Sequence, residues 1–373
     1  MAKRPKIARL EKKRDVAGLI DALESDENGV AEAATAALAR LKGSEATAGL
    51  VLASTHGRPE VRIEAAKGLT GNGRTRYVAP LARMAKRDQY ESAQIEAIAG
   101  LRRVGNPDAL DALADVATAA PGGAQAKEAA REALLDFGDA GVPFLIVRLD
   151  QTREQATAAA LLLGEIGDPS AVEAITRALE IGTADPDACV ASLSIIGSDL
   201  AIDTLIVLLH WGGDDLSRSA AVGLERHAAL PRVTEALIKG VSAPVDSTRA
   251  AAIIGLRSAA DEANDAVVEA LRGALRDPVY GVRQEAAAAL IDRGYLGSDV
   301  VETLVALLNT ATSWAQETRA AHLLGEAGDV RALDVLTRML EHPMQLDDHS
   351  YPVRDAARVA IARIKISSGN GSR

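Results

Sequence analysis

One cysteine, Cys189, stands in a chain of 373 residues. No internal disulfide can form, and a chain so poor in cysteine reads as one from a reducing compartment, the cytoplasm. Aromatic residues make up only 2%. Sites that stack bases, sugars or flat cofactors need aromatic faces, so none is expected and no cofactor is assigned. No run approaches the roughly 18 apolar residues of a membrane span. The opening MAKRPKIARLEKKR is basic, but no apolar core follows it, so it does not read as a secretory signal. Nucleophile elbows, dinucleotide fingerprints and paired zinc histidines on one helix are also missing. Gly71-Asn72-Gly73 precedes Arg74-Thr75-Arg76 rather than the Lys-Ser/Thr pair of a phosphate loop. The chain therefore does not read as an enzyme.

What is present is charge, unevenly placed. The net charge is −10, yet residues 1–103 hold 19 Lys/Arg against 13 Asp/Glu, and residues 104–373 hold 23 against 39. Such asymmetry suggests that the two ends face different partners. Apolar residues, 48% of the chain, fall in short stripes.

The stripes repeat. Leu161 to Glu180 reads LLLGEIGDPSAVEAITRALE, and Leu323 to Glu341 reads LLGEAGDVRALDVLTRMLE. Gly167 predicts the end of a helix, Asp168 a cap for the next and Pro169 its first position. Val172, Ile175 and Leu179 then mark one face of an amphipathic helix running to Ile181. Aligned on the residue four before the turn glycine, the chain forms a ladder: Leu38, Leu69, Leu101, Leu134, Leu163, Leu193, Leu224, Leu256, Leu290, Leu324 and Ile361, with steps of 29 to 37 residues. Ala228 and Ala260 replace the turn glycine in two repeats, so those turns must close differently. Within the second helix of each repeat, positions 0, −4 and −8 from the rung should be core, and the small residue at −1 should admit a neighbouring helix.

A period near thirty with two short helices, a turn glycine and Asp-Pro at helix starts resembles the HEAT repeat family, and most closely its short phycobilisome-lyase-type HEAT-like repeats. The stretches that carry this are 277–294 (DPVYGVRQEAAAALIDRG), 58–69 (RPEVRIEAAKGL), 351–361 (YPVRDAARVAI) and the two GE-x-GD segments. The resemblance implies an all-α fold: an α-solenoid, a right-handed superhelix of about eleven two-helix repeats. Residues 1–366 are expected to form a single solenoid, with 1–15 as a basic N-terminal segment or first helix and 367–373 as a disordered tail. It further implies a non-enzymatic scaffold that binds another protein or peptide in a concave groove lined by the second helices. The family name also admits a bilin lyase-like chaperone or lyase, although no residue here marks a bilin site. A DNA-repair glycosylase of HEAT-like helices would need a basic, aromatic-lined groove, which the acid excess and scarce aromatics oppose.

Position −2 lies opposite the core stripe and should look into that groove. From the fifth repeat on it is mostly apolar: Leu161, Ala191, Val222, Ile254, Ala288, His322 and Val359. Leu161, Val222 and Ile254 are the expected centre of a partner-binding strip. Arginine recurs at −7 as Arg62, Arg249, Arg283 and Arg354, where it should satisfy turn carbonyls and carboxylates rather than bind a ligand. Arg74, Arg76, Arg83, Arg102 and Arg103 could bind an anion, nucleic acid included, although interspersed Asp88, Glu91 and Glu96 favour a solvated mixed face. His342, Asp347, Asp348 and His349 form a weak metal candidate of no recognised spacing. Cys189, among apolar and acidic neighbours, should be a buried, unreactive thiol. The oligomeric state is not legible.

Overall fold

A computed structural model of the protein describes residues 7–70, 77–119, 123–257, 265–340 and 350–370. Among the described residues all regular structure is helical, and the chain divides after Ile196 into two compact units. In the first, α1 (Ile7–Lys13) precedes six helical hairpins: α2 (Val16–Asp21) with α3 (Val30–Arg40), α4 (Ser44–Ala53) with α5 (Pro59–Thr70), α6 (Val78–Arg87) with α7 (Glu91–Val104), α8 (Pro107–Thr118) with α9 (Ala124–Phe137), α10 (Val142–Arg148) with α11 (Arg153–Ile166), and α12 (Val172–Ile181) with α13 (Pro186–Ile196). The second unit holds five: α14 (Asp199–Trp211) with α15 (Gly213–Glu225), α16 (Pro231–Gly240) with α17 (Asp246–Leu256), α18 (Asp265–Ala274) with α19 (Tyr280–Asp292), α20 (Ser298–Thr310) with α21 (Trp314–Ala327), and α22 (Leu333–Leu340) with α23 (Ser350–Asn370). Within each unit the second helices of successive hairpins pack side by side.

The ladder is the core. Leu38, Leu69, Leu101, Leu134, Leu163, Leu193, Leu224, Leu256, Leu290 and Leu324 are all fully buried. Their stripe partners follow, as with Val61 and Ala65 behind Leu69, or Val282 and Ala286 behind Leu290. The last rung departs from this rule. Ile361 is only half-buried, and Ala357, Ala360 and Ile364 carry the core instead. Among the described residues α23 packs against α21 and α22, and the face turned to them is the sealed one.

The repeated GE-x-GD segment closes one hairpin and opens the next. Gly167 ends α11 in the left-handed region at φ +79°, and its N–H donates to the Leu163 carbonyl at 3.0 Å. Only glycine adopts that conformation without strain. The Asp168 carboxylate accepts the Ser170 N–H at 2.8 Å, and Pro169–Ala171 forms a 3₁₀ turn that leads into α12. Gly328, at φ +68°, and Asp329, which accepts from Arg331 N–H at 2.8 Å, repeat the device before α22. Gly164 acts by its size instead. A Cβ there would lie 2.7 Å from the Ser192 Cα of α13, so the glycine is what lets those two helices approach.

The alanine turn at Ala228 does close differently, through successive short-range bonds: His227 N–H to Leu224 O, Ala228 N–H to Glu225 O and Leu230 N–H to His227 O. Ala260 lies outside the described residues. At the C-terminal end, α23 continues past Ile366 to Asn370, and residues 371–373 of the expected tail lie outside the described residues. Buried Ile364 anchors these last turns, and the Ser367 hydroxyl bonds back to the Arg363 and Ile364 carbonyls.

Candidate functional site on the second-helix face

The residues of the −2 row range from exposed to half-buried, with one exception. In the first unit Ala36 and Ala99 are half-buried, and Lys67 and Glu132 are exposed. Leu161 on α11 is 42% exposed. Ala191 on the adjacent α13 is exposed as well, beside exposed Ile195 one turn further on. In the second unit Val222 on α15 is 53% exposed, Ile254 on α17 half-buried, His322 on α21 exposed and Val359 on α23 43% exposed. Ala288 departs from the expectation because it is buried. Its short side chain stays below the accessible surface where a recess is lined by His322 and Trp314 as well. The expected strip therefore divides: Val222 and Ile254 share a row on packed neighbours, while Leu161 belongs to the first unit.

Ion pairs between neighbouring second helices flank this row. Arg102 of α7 meets Asp136 of α9, and Arg131 of α9 meets Glu165 of α11. In the second unit Arg257 holds Asp292, with Nε to Oδ2 at 2.7 Å, Arg319 holds Glu285 at 2.7 Å, and Arg363 approaches Glu326 at 3.4 Å. Glu165 and Glu326, the glutamates of the two GE-x-GD segments, are thus repeat-to-repeat partners of arginine.

Three of the four −7 arginines, Arg62, Arg249 and Arg283, bond to turn carbonyls and carboxylates of the protein itself. Arg62 grips Asp88 of the next repeat with two bonds of 2.6 Å, and its Nη1 donates to the His56 and Gly57 carbonyls of its own turn. Arg249 treats Asp277 and the Ala243 and Pro244 carbonyls in the same way. Arg283 reaches the Asp277 and Pro278 carbonyls. Burial works to raise the Asp88 and Asp277 carboxyls, but the arginine bonds and a backbone N–H outweigh it and hold both below the ordinary aspartate range.

Among the described residues, the anion candidates do not share one face. Arg74 and Arg76 lie outside the described residues. Arg83 and Lys86 sit on α6, where Arg83 reaches the Ser54 hydroxyl at 3.2 Å and Lys86 meets Asp115 of α8. Arg102 and Arg103 end α7, at the opposite end of the hairpin, and Arg103 holds Glu96 at 3.0 Å and the Thr70 hydroxyl at 2.8 Å. Carboxylates within the protein thus engage Lys86, Arg102 and Arg103. The metal candidate His342, Asp347, Asp348 and His349 lies wholly outside the described residues, and among the described residues no cluster of three metal-ligating side chains occurs. Cys189 is fully buried, and burial, then Asp185, pushes its thiol up to about 11. No helix among the described residues is long and apolar enough to cross a membrane.

Two surface residues escaped the sequence reading. Trp211, at the end of α14, is 85% exposed, and Trp314, at the start of α21, is 50% exposed. They are the only tryptophans of the chain. That scarcity was the available signal: a residue type so rare, placed at helix ends rather than mid-stripe, is not there to fill a core.

Comparison with known proteins agrees with this geometry. The family model of HEAT repeats matches residues 47–135 and 234–318, and that of the PBS lyase HEAT-like repeat matches residues 156–180. Among solved structures, the karyopherin Kap121p bound to the SUMO protease Ulp1p superposes with a TM-score of 0.55 at 14% identity, over 98% of this chain and 46% of that one. Kap121p bound to Pho4p gives 0.54 at 14% identity, over 98% and 47%. Kap121p bound to the extreme C-terminus of the protein phosphatase Cdc14p gives 0.53 at 13% identity, over 99% and 48%. The chain spans less than half the length of these karyopherins, and at such identity the likeness is one of fold. No curated protein matches the sequence. With HEAT models matched in both units, and together over more than half of its length, the chain belongs to the HEAT repeat family.

Proposed function

We propose that this protein is a non-enzymatic interaction scaffold that binds another protein through the second-helix faces of its hairpins. The carrying observation is the exposed apolar −2 row, above all Leu161, Val222 and Val359. Leaving such side chains in water forgoes about 25 cal/mol per Å² of apolar surface, a gain that a partner helix or extended segment recovers on docking. The karyopherin structures of similar fold that hold Ulp1p, Pho4p and a segment of Cdc14p support the same use of a stack of HEAT repeats. The paired state of Lys86, Arg102 and Arg103 favours this reading over nucleic-acid binding.

Half-buried Ile254 is a poor site for a charge, so the test uses the exposed positions. Leu161→Asp, Val222→Asp and Val359→Asp in one chain should abolish capture of partners from a host extract while circular dichroism shows unchanged helicity. Capture at the wild-type level by the folded triple variant rejects the reading.

A further inference from the structure

Helix α14 differs from the first helices that follow it in the second unit. Those carry charge on their exposed positions: Arg232, Glu235 and Lys239 on α16, Glu269 on α18 and Glu302 on α20. On α14 the outward residues are Leu200, Val207 and Trp211, which are 50%, 56% and 85% exposed. Thr204 completes the row, and its hydroxyl donates to the Leu200 carbonyl at 2.8 Å, so it is satisfied within the helix. At 100° per residue these four side chains fall within an arc of about 60°. Single exposed apolar residues are ordinary, but a continuous row that ends in a tryptophan is the composition of an interface centre. The spacing along the row is four, three and four residues, the alternation of a heptad seam, and it reads the same from either end. A two-fold contact requires that property, because one surface must then be its own complement. Laid antiparallel on a second copy, Trp211 covers Leu200 of the partner subunit and Val207 covers Thr204 of the partner subunit. Every layer then sets a larger side chain on a smaller one, and the unlike ends of the two helix dipoles meet. A parallel pairing would stack the two largest residues and bring like ends together.

We propose that the outward face of α14 is a self-association surface, on which two copies of this chain pair antiparallel as a reversible two-fold dimer. A tryptophan carries about 150–250 Å² of surface, so the row offers roughly 400 Å² on each copy. The pair therefore buries less than the roughly 1,200 Å² of a lasting complex, which places the association in the micromolar range. This surface goes beyond the scaffold reading and does not depend on it, because it uses no residue of the second-helix face. The dimer carries two such faces, so a partner with two docking segments is held by both at once.

Sedimentation of the full chain from about 1 to 300 µM tests this. The average mass should rise with concentration from that of one chain toward that of two. Leu200→Glu or Trp211→Lys alone should move the midpoint about tenfold or more to higher concentration. Circular dichroism should stay unchanged, since both sites are exposed. Mixed in equal amounts, the two variants should associate again near the wild-type midpoint. The antiparallel register sets the introduced carboxylate of one chain against the introduced ammonium of the other and keeps the native layer at the far end. The proposal is overturned by a mass that stays at one chain throughout, by a dimer that survives either substitution, or by a mixture that remains monomeric. Capture through Leu161, Val222 and Val359 is judged by its own pull-down, so the two readings fail separately.

Discussion

The residues that look most like a motif here, Gly164-Glu165-Ile166-Gly167-Asp168, are mechanical parts. Gly164 sets the distance between α11 and α13, Glu165 pairs with Arg131, Gly167 reverses the chain and Asp168 caps the next turn. The close approach is the costliest to lose, because the atom a new Cβ would meet is backbone rather than a flexible side-chain end. Gly164→Ala should destabilise the protein by about 1–3 kcal/mol, the usual cost of overpacking, read as a lower midpoint in urea. A midpoint equal to wild type would show that α13 shifts freely. Gly167 and Asp168 were legible in the sequence because helix stop and start signals are local. The role of Gly164 was not, because its constraint comes from a residue 28 positions away in sequence. Expectation placed close approach at −1, and Gly164 sits at +1.

Hairpins are joined to hairpins by the −7 arginines more than by the exposed ion pairs. The Arg62–Asp88 and Arg249–Asp277 side chains are largely buried, whereas Arg102–Asp136 or Arg363–Glu326 stand in water and contribute on the order of 0–1 kcal/mol. Asp88 and Asp277 both have their folded-state pKa lowered, which fixes the sign of the pH effect. Their stabilisation is fully present above the unfolded aspartate value of about 3.9 and is lost as pH falls through the lower folded-state values. The protein should lose stability steeply below about pH 4, and Asp88→Asn with Asp277→Asn should flatten that fall while lowering stability at pH 7. Urea midpoints measured from pH 7 down to pH 3 check this, and an unchanged slope in the double variant would assign the acid limb elsewhere. The helix period showed which face of each element is core. It could not divide the remaining faces: on α14, Leu200 and Val207 look like core residues by composition, yet they lie exposed in line with Trp211. Apolar composition all round a helix leaves no polar side to define the outside.

Across a whole unit, stability should follow neighbour relations rather than one shared core. Each rung leucine is sealed by its own hairpin and the adjacent ones, and the −7 arginine reaches only to the following repeat. A stack built this way behaves as a one-dimensional chain of coupled units, so a local defect weakens its own interface first. Gly325 offers a clean defect, because a Cβ there would lie 2.7 Å from the Ala360 Cα, where α21 meets α23. Gly325→Ala should cost about 1–3 kcal/mol at that interface, which corresponds to amide exchange about 5- to 150-fold faster. Hydrogen exchange read by mass spectrometry should show the acceleration in α21 and α23, a smaller one in α19, and little in α15 and α17 of the same unit. Uniform acceleration from α15 to α23 would instead mean that these five hairpins unfold as one cooperative block. The rung-to-rung architecture would then describe the fold without describing its energetics. Confinement to the last hairpins would leave the rest of the second-helix face, Val222 and Ile254 included, rigid while its end opens. A face that must hold a partner segment along its length needs that separation of local opening from global stability.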